Sequence, residues 1–127
     1  MNSLDTNVVL RFLLNDIPEQ TLKSKEVIEN SACYITDVVA IEIVFVLERV
    51  VSMDRSDIQR LIKAFLNLSN VIYNDYFLDE VIDLYGAKAS LSIVDCYAAI
   101  EAKVYGNHLL TFDKRLVRQG GKHVSGL

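Results

Sequence analysis

Glu42 is the one charged residue in the otherwise apolar segment "VVAIEIVFVL", which covers residues 38–47. If this segment is a helix, the neighbours of Glu42 three and four positions away are all apolar: Val38, Val39, Phe45 and Val46. The pattern predicts a buried helix, in which an ionised carboxylate is costly unless it is paired or binds a metal ion. Glu42 therefore needs either a basic residue from elsewhere in the chain or a bound metal ion.

Three further acids stand where predicted strands end or a predicted helix begins. Asp5 ends the first strand, Asp113 directly follows "HLLTF", and Asp95 lies in the first turn of a helix that Ser92 opens. In a parallel α/β sheet, ligands bind at the carboxyl ends of the strands, so these acids and Glu42 are expected at one rim. Neighbouring carboxylates repel one another, whereas hard cations such as Mg²⁺ and Mn²⁺ prefer oxygen ligands. The four acids together predict an acidic metal pocket.

Each acid also has a purely structural interpretation. Asp5 could end its strand in an Asp-Thr-Asn turn, and Asp113 could cap the short helix that follows it. Asp95, three residues after Ser92, is placed for a capping box. Glu42 could pair with an arginine from elsewhere in the fold. The metal pocket is therefore predicted from all four acids meeting at one edge, and no single acid establishes it.

Short apolar segments alternate with segments of helical periodicity along the chain. The predicted strands are "NSLD", "CYIT", "VIY", "HLLTF" and "HV". The predicted helices are "VVLRFLL", Pro18 to about Asn30, a helix capped by Asp37 that carries Glu42, Asp54 to about Leu68, "FLDEVIDLYGAKA", and Ser92 to Gly106. Strands that alternate with helices favour a parallel sheet covered by helices on both faces.

The chain has the size and composition of one ordinary domain. About half of its 127 residues are apolar and no linker or repeat divides them, so residues 1–127 are predicted to form a single domain. Cys33 and Cys96 are predicted to be buried, reduced side chains of a cytoplasmic protein. No apolar run reaches the length of a membrane span, and the N-terminus lacks the pattern of a signal peptide, so neither is expected.

Charge is distributed unevenly along the chain. The net charge is −4, which does not indicate a nucleic-acid-binding protein as a whole. From Lys103 to Leu127, however, five basic residues accompany a single acid, Asp113. This basic segment indicates either an anionic partner or a solvated surface.

Three stretches resemble the PIN-domain family, and in particular its VapC-type toxins from type II toxin–antitoxin systems. They are "LDTNVVLRFLLNDIPEQ", the "AIE" that contains Glu42, and "SIVDCYAAIEAKVYGNHLLTFDKRL". The three stretches run in family order through nearly the whole chain. The resemblance implies one PIN-like domain with a three-layer α/β/α fold around a short, mainly parallel central sheet. It also implies an endoribonuclease that depends on Mg²⁺ or Mn²⁺.

The resemblance also implies roles for individual residues. The catalytic acids would be Asp5, Glu42, Asp95 and Asp113. Asp5 and Asp95 would be the main metal ligands, with Asp113 as a further ligand and Glu42 completing the pocket directly or through water. The supporting polar positions would be Thr6, Asn7 and Thr111. Many members carry a further acid shortly after the fourth, where this chain has Arg115 and Leu116, so a second cation would find fewer anionic ligands.

An acidic pocket repels RNA, so basic residues are needed to attract it. The candidates are Arg11, Lys114, Arg115 and Arg118, each of which could equally be a salt-bridge partner. The resemblance further implies an RNA substrate, a cognate antitoxin and self-association into a homodimer. The helix around Glu42 is apolar nearly all round, which is compatible with a protein partner or with a central place in the monomer.

Other acidic α/β proteins fit the residues less well. An aspartyl phosphatase needs Asp-x-Asp at the first strand, where this chain has Asn7, and a receiver domain needs an acidic pair there. His108 and His123 are expected at the surface or at strand ends. Two alternatives stay open: a PIN-like module that binds RNA or protein without cleaving, and a solitary RNA-processing PIN nuclease.

Overall fold

Five short strands and seven helices alternate along the chain, which the computed structural model describes from residue 1 to residue 127. The strands are β1 (Asn2–Ser3), β2 (Cys33–Ile35), β3 (Val71–Tyr73), β4 (Leu109–Thr111) and β5 (Val124–Gly126). The helices are α1 (Thr6–Leu14), α2 (Pro18–Asn30), α3 (Asp37–Arg49), α4 (Arg55–Leu66), α5 (Leu78–Ala87), α6 (Ile93–Val104) and α7 (Lys114–Gln119). All strand pairs are parallel, so the predicted α/β class with parallel strands is confirmed.

The strands do not form one sheet. The chain divides into two compact units, residues 1–74 and residues 75–127, and each unit contains its own sheet. In the first unit the strand order is β1-β2-β3, with Asn2 opposite Cys33 and Cys33 opposite Val71. In the second unit β4 pairs with β5. The predicted central sheet is therefore divided between the two units.

In the first unit, helix α4 shows most clearly how apolar spacing relates to burial. α1 packs on α2 and α3, and α3 packs on α4. Of the apolar face predicted for α4, Ile58, Ile62, Phe65 and Leu66 are buried, and Leu61 is half-buried. Pro18 begins α2, where its missing N–H leaves no hydrogen bond unmade. The parallel pairing of β1 with β2 places the starts of α1 and α3 at the same edge of this sheet.

Thr36, and not Asp37, caps α3. Thr36 has extended backbone angles, and its Oγ1 accepts the Val39 N–H at 3.1 Å. The prediction of Asp37 as the cap was wrong by one residue, because the turn leaves Thr36 outside the helix and Asp37 as its first residue. The Asp37 carboxylate instead accepts a hydrogen bond from the Asn74 side chain at 3.1 Å, which connects the ends of β2 and β3.

In the second unit, α5 packs along α6, and α7 lies against β4 and β5. The end of α6 follows the prediction at Gly106, whose φ of +72° is the left-handed conformation that glycine adopts most readily. The Gly106 N–H donates to the Lys103 carbonyl, and the Asn107 N–H donates to the Ala102 carbonyl. These two bonds form a Schellman motif, which satisfies the last carbonyl groups of the helix.

Both cysteines lie in the core, as predicted. Cys33 and Cys96 are free and buried. None of the helices is both long and apolar enough to cross a membrane.

Candidate functional site

Asp5 follows β1 at the first position before α1. Its backbone is extended, and its side chain forms no capping hydrogen bond. The residue is exposed, whereas the next residue, Thr6, is only 4% exposed. Both carboxylate oxygens of Asp5 are therefore available to a ligand at the edge of the sheet.

Glu42 is exposed, and the prediction that it lies in the core was wrong. Its helical neighbours Val38 and Phe45 are themselves 74% and 51% exposed. The buried side of α3 consists instead of Ala40, Ile43, Val44 and Leu47. Because apolar residues lie on both sides of α3, the sequence does not show which side is buried. Because water solvates Glu42, its charge carries no burial cost that a metal would have to offset.

Asp95 forms the capping box that its spacing from Ser92 predicts. The Asp95 N–H donates to Ser92 Oγ at 3.0 Å, and the Ser92 N–H donates to Asp95 Oδ2 at 3.4 Å. The second bond is long, and Oδ1 accepts no hydrogen bond. The structural interpretation of Asp95 is therefore confirmed, and one of its oxygens is still available to a ligand.

Asp113 caps α7, so its structural interpretation is also confirmed. Asp113 Oδ1 accepts the backbone N–H groups of Arg115 at 2.8 Å and Leu116 at 3.3 Å. The Asp113 N–H in turn donates to Thr111 Oγ1 at 3.0 Å, which fixes the backbone between β4 and α7. Thr111 is thus a support for Asp113, and Asp113 Oδ2 carries no hydrogen bond.

The four acids share a donor chemistry that fits a hard divalent cation, since each keeps at least one carboxylate oxygen without a hydrogen bond. Two of the acids belong to the first unit and two to the second. No group of three or more His, Cys, Asp or Glu side chains in the structure could hold a metal ion. The metal pocket of four acids therefore stays a prediction.

The predicted RNA-contacting residues fall into two kinds. Arg11 is a salt-bridge partner: its side chain is 20% exposed and lies 3.3 Å from Asp16, while its Nε is buried without a hydrogen bond. Arg115 is 63% exposed and lies 3.9 Å from Asp113, a weak contact. Lys114 and Arg118 are exposed and form no ion pair. The cations of α7 are therefore more available to an anion than Arg11 is.

The predicted polar support Asn7 lines a small cavity between residues of α1 and α2. The cavity has a volume of about 300 Å³, and its other lining residues are Val8, Arg11, Gln20, Lys23 and Ser24. The sequence interpretation did not include Lys23. Its spacing of three from Gln20 on α2 places both on one helical face, a signal that becomes useful only once α2 is known to pack on α1.

A second residue outside the predicted set is Phe112, between Thr111 and Asp113. Its side chain is 81% exposed. No sequence pattern indicates this exposure, because Leu110 and Phe112 alternate like the apolar residues of a buried strand face, yet both are exposed.

Each histidine has one ring nitrogen in a hydrogen bond. His108 Nε2 lies 2.6 Å from Ser125 Oγ, and His123 Nε2 is hydrogen-bonded to the Ala99 carbonyl. The two residues stand directly before β4 and β5, respectively. The expectation of strand-end roles for them is confirmed.

Comparison with known proteins agrees with the motifs. The family model described as PIN domain matches residues 3–122. A protein named VapC ribonuclease, from Aquifex aeolicus (strain VF5), is 30% identical over an alignment of 134 positions, which covers 98% of this chain and 96% of that protein. No solved structure matches the chain. Because the family match covers nearly the whole chain and includes all four acid positions, the chain belongs to the PIN domain family.

Proposed function

We propose that this protein is a divalent-metal-dependent endoribonuclease that acts as the toxin of a toxin–antitoxin pair. The observation that carries the proposal is the nearly full-length similarity to a protein named VapC ribonuclease. The match to the PIN domain model supports it, since residues 3–122 contain all four acids. We further propose that both units act as one PIN-like domain in the cytoplasm.

In this proposal Asp5, Asp95 and Asp113 bind Mg²⁺ or Mn²⁺, and Glu42 completes the pocket. The available oxygens on all four side chains support these roles. A bound divalent cation would lower the pKa of a water molecule and neutralise charge on the phosphate oxygens. The residues of the chain supply the positioning: Ser92 orients Asp95, and Thr111 orients Asp113.

The proposed RNA contacts lie mainly on α7. Lys114 and Arg118 are one helical turn apart, exposed and unpaired, so both can approach phosphate groups. Arg115 can exchange its weak contact with Asp113 for a phosphate. Arg11 is held by Asp16, which makes it the weakest of the four candidates.

The test is cleavage of a mixed pool of structured and single-stranded RNAs by the purified protein, with Mg²⁺, with Mn²⁺ and with a chelator. The Asp5→Asn and Asp95→Asn variants run beside the wild type, and Asp75→Asn, an exposed acid outside the proposed site, is the matched control. We expect metal-dependent cleavage by the wild type and the control only. Cleavage that persists in both site variants would contradict the site assignment.

One observation favours a second candidate, a PIN-like module that binds RNA or protein without cleaving. A buried Glu42 would have been hard to explain without a catalytic metal, but Glu42 is exposed. Its charge is therefore compatible with a binding surface too. RNA binding without cleavage under every metal condition would establish this second candidate.

We also propose that the protein pairs with an antitoxin and forms a homodimer. The exposed apolar residues Val38 and Phe45, seven positions apart, lie on the same face of α3 and support a protein partner. The test is light scattering of the wild type and of Phe45→Glu, together with co-purification of the product of a small neighbouring reading frame. A monomeric wild type that captures no such product would contradict both parts.

A further inference from the structure

We propose that Phe112 is a stacking platform for an unpaired base of an RNA strand whose phosphates lie along α7. The inference rests on the proposed ribonuclease function and deepens it, since it names the residue that would hold a nucleotide beside Asp113. Its starting point is the ring itself, which is 81% exposed and contacts no other ring or cation. An isolated aromatic face in water can stack with a nucleobase.

The backbone on both sides of Phe112 is held in place. Thr111 pairs with Gly126 in the sheet, and its carbonyl accepts the Leu127 N–H at 3.0 Å. On the other side, the Asp113 N–H donates to Thr111 Oγ1 and the Asp113 carboxylate caps α7. The ring therefore projects from a fixed support, so that stacking would order little of the backbone.

The basic residues that follow Phe112 in the sequence favour an anionic ligand. Lys114 and Arg118 have no ion-pair partner, and Arg115 has only the 3.9 Å contact with Asp113. Of the five basic residues from Lys103 to Leu127, Lys103 is already paired with Glu80 at 3.2 Å. An aromatic face beside unpaired cations fits single-stranded nucleic acid, which offers both bases and phosphates. Exposed Leu110 and Leu127 would suit an apolar protein partner, but such a partner would leave these cations unused.

The chain contains no tryptophan, so Phe112→Trp introduces a single fluorescent reporter at the proposed platform. The variant is made in an Asp5→Asn background with a chelator present, so that binding is measured without cleavage. Tyr105→Trp, at another exposed aromatic residue of the second unit, is the matched control. Each protein is titrated with a single-stranded oligoribonucleotide, with the same sequence as a duplex, and with inorganic polyphosphate.

We expect the single strand, but neither the duplex nor polyphosphate, to quench Phe112→Trp, while Tyr105→Trp is unaffected. Phe112→Ala is expected to weaken single-strand binding about ten-fold with an unchanged salt dependence. The Lys114→Ala and Arg118→Ala changes are expected to reduce the slope of that salt dependence instead. Because Phe112 is so exposed, its replacement leaves the fold intact, which thermal unfolding checks.

Wild-type cleavage with Mg²⁺, measured in parallel, separates this inference from the proposed function. Cleavage with no quenching at position 112 and no effect of Phe112→Ala would overturn the stacking platform alone. Equal quenching by polyphosphate would also overturn it, because polyphosphate has no bases. Quenching by the single strand without any cleavage would support the platform and contradict the proposed nuclease.

Discussion

The two acids of the first unit and the two acids of the second unit differ in what their carboxylates already do. Asp5 and Glu42 are exposed, and their side chains accept no hydrogen bond. Asp95 and Asp113 each accept backbone N–H groups at the start of α6 or α7. An acid proposed for catalysis can therefore also hold its own helix, and its removal then changes activity and stability together.

The largest expected effect is on activity at Asp5, where stability should stay almost unchanged. Asp5→Ala should lower the rate of RNA cleavage at least about a hundred-fold, because it removes a proposed metal ligand. The free energy of unfolding should change by less than about 0.5 kcal/mol, since the side chain caps nothing. Cleavage assays and urea unfolding followed by circular dichroism measure the two quantities. A clear loss of stability would show that Asp5 has a structural role after all.

Unlike Asp5, Asp113 should contribute to both stability and cleavage. Asp113→Ala should lower the free energy of unfolding by about 1 kcal/mol in addition to reducing cleavage, because α7 loses its cap. Asp113→Asn is the matched variant, since asparagine also caps helices but carries no charge. It should retain stability and lose cleavage. Equal stability of the alanine and asparagine variants would contradict the dual role.

Ser92 tests how much the capping box at Asp95 contributes to stability, without changing an acid. Ser92→Ala should cost about 1 kcal/mol of stability, because the Asp95 N–H loses its acceptor and the capping box is broken. Ser92→Thr keeps a hydroxyl group and should restore most of the loss. Denaturant unfolding of the three proteins provides the comparison. No difference between alanine and serine would show that the box contributes nothing to α6.

The smallest expected effect is on stability at Glu42. Glu42→Gln should change the free energy of unfolding by less than about 0.5 kcal/mol, since the carboxylate is exposed and unpaired. In the same variant the rate of RNA cleavage should fall if Glu42 completes the metal pocket. A stability change above about 1 kcal/mol would indicate that Glu42 is buried or paired, and the contrast between the two units would fail.

Features that depend on residues close together in the chain could be predicted from the sequence. The start of α2 at Pro18, the capping box of Ser92 and Asp95, and the end of α6 at Gly106 all occur as predicted. The error at α3, Asp37 for Thr36, is a shift of a single residue between two side chains that both cap well. The PIN-domain resemblance, which depends on the order of motifs, is likewise confirmed.

Burial was harder to predict where a helix is apolar on more than one side. Residues 38–47 contain enough apolar side chains to cover both faces of α3, so periodicity could not show which face is buried. The buried face turned out to be that of Ile43 and Leu47, and Glu42 lies on the exposed one. The proposed role of Glu42 at a metal therefore rests on family membership and not on burial.

The sequence by itself determined the α/β class, the order of strands and helices, most of the local caps and the family, because these follow from contacts between residues close in the chain and from the order of motifs. Only the tertiary structure decided that the strands form two sheets, that Glu42 faces water and that Phe112 is exposed. Each of these depends on residues that are distant in the chain, since sheet pairing and packing join such residues without leaving a local pattern.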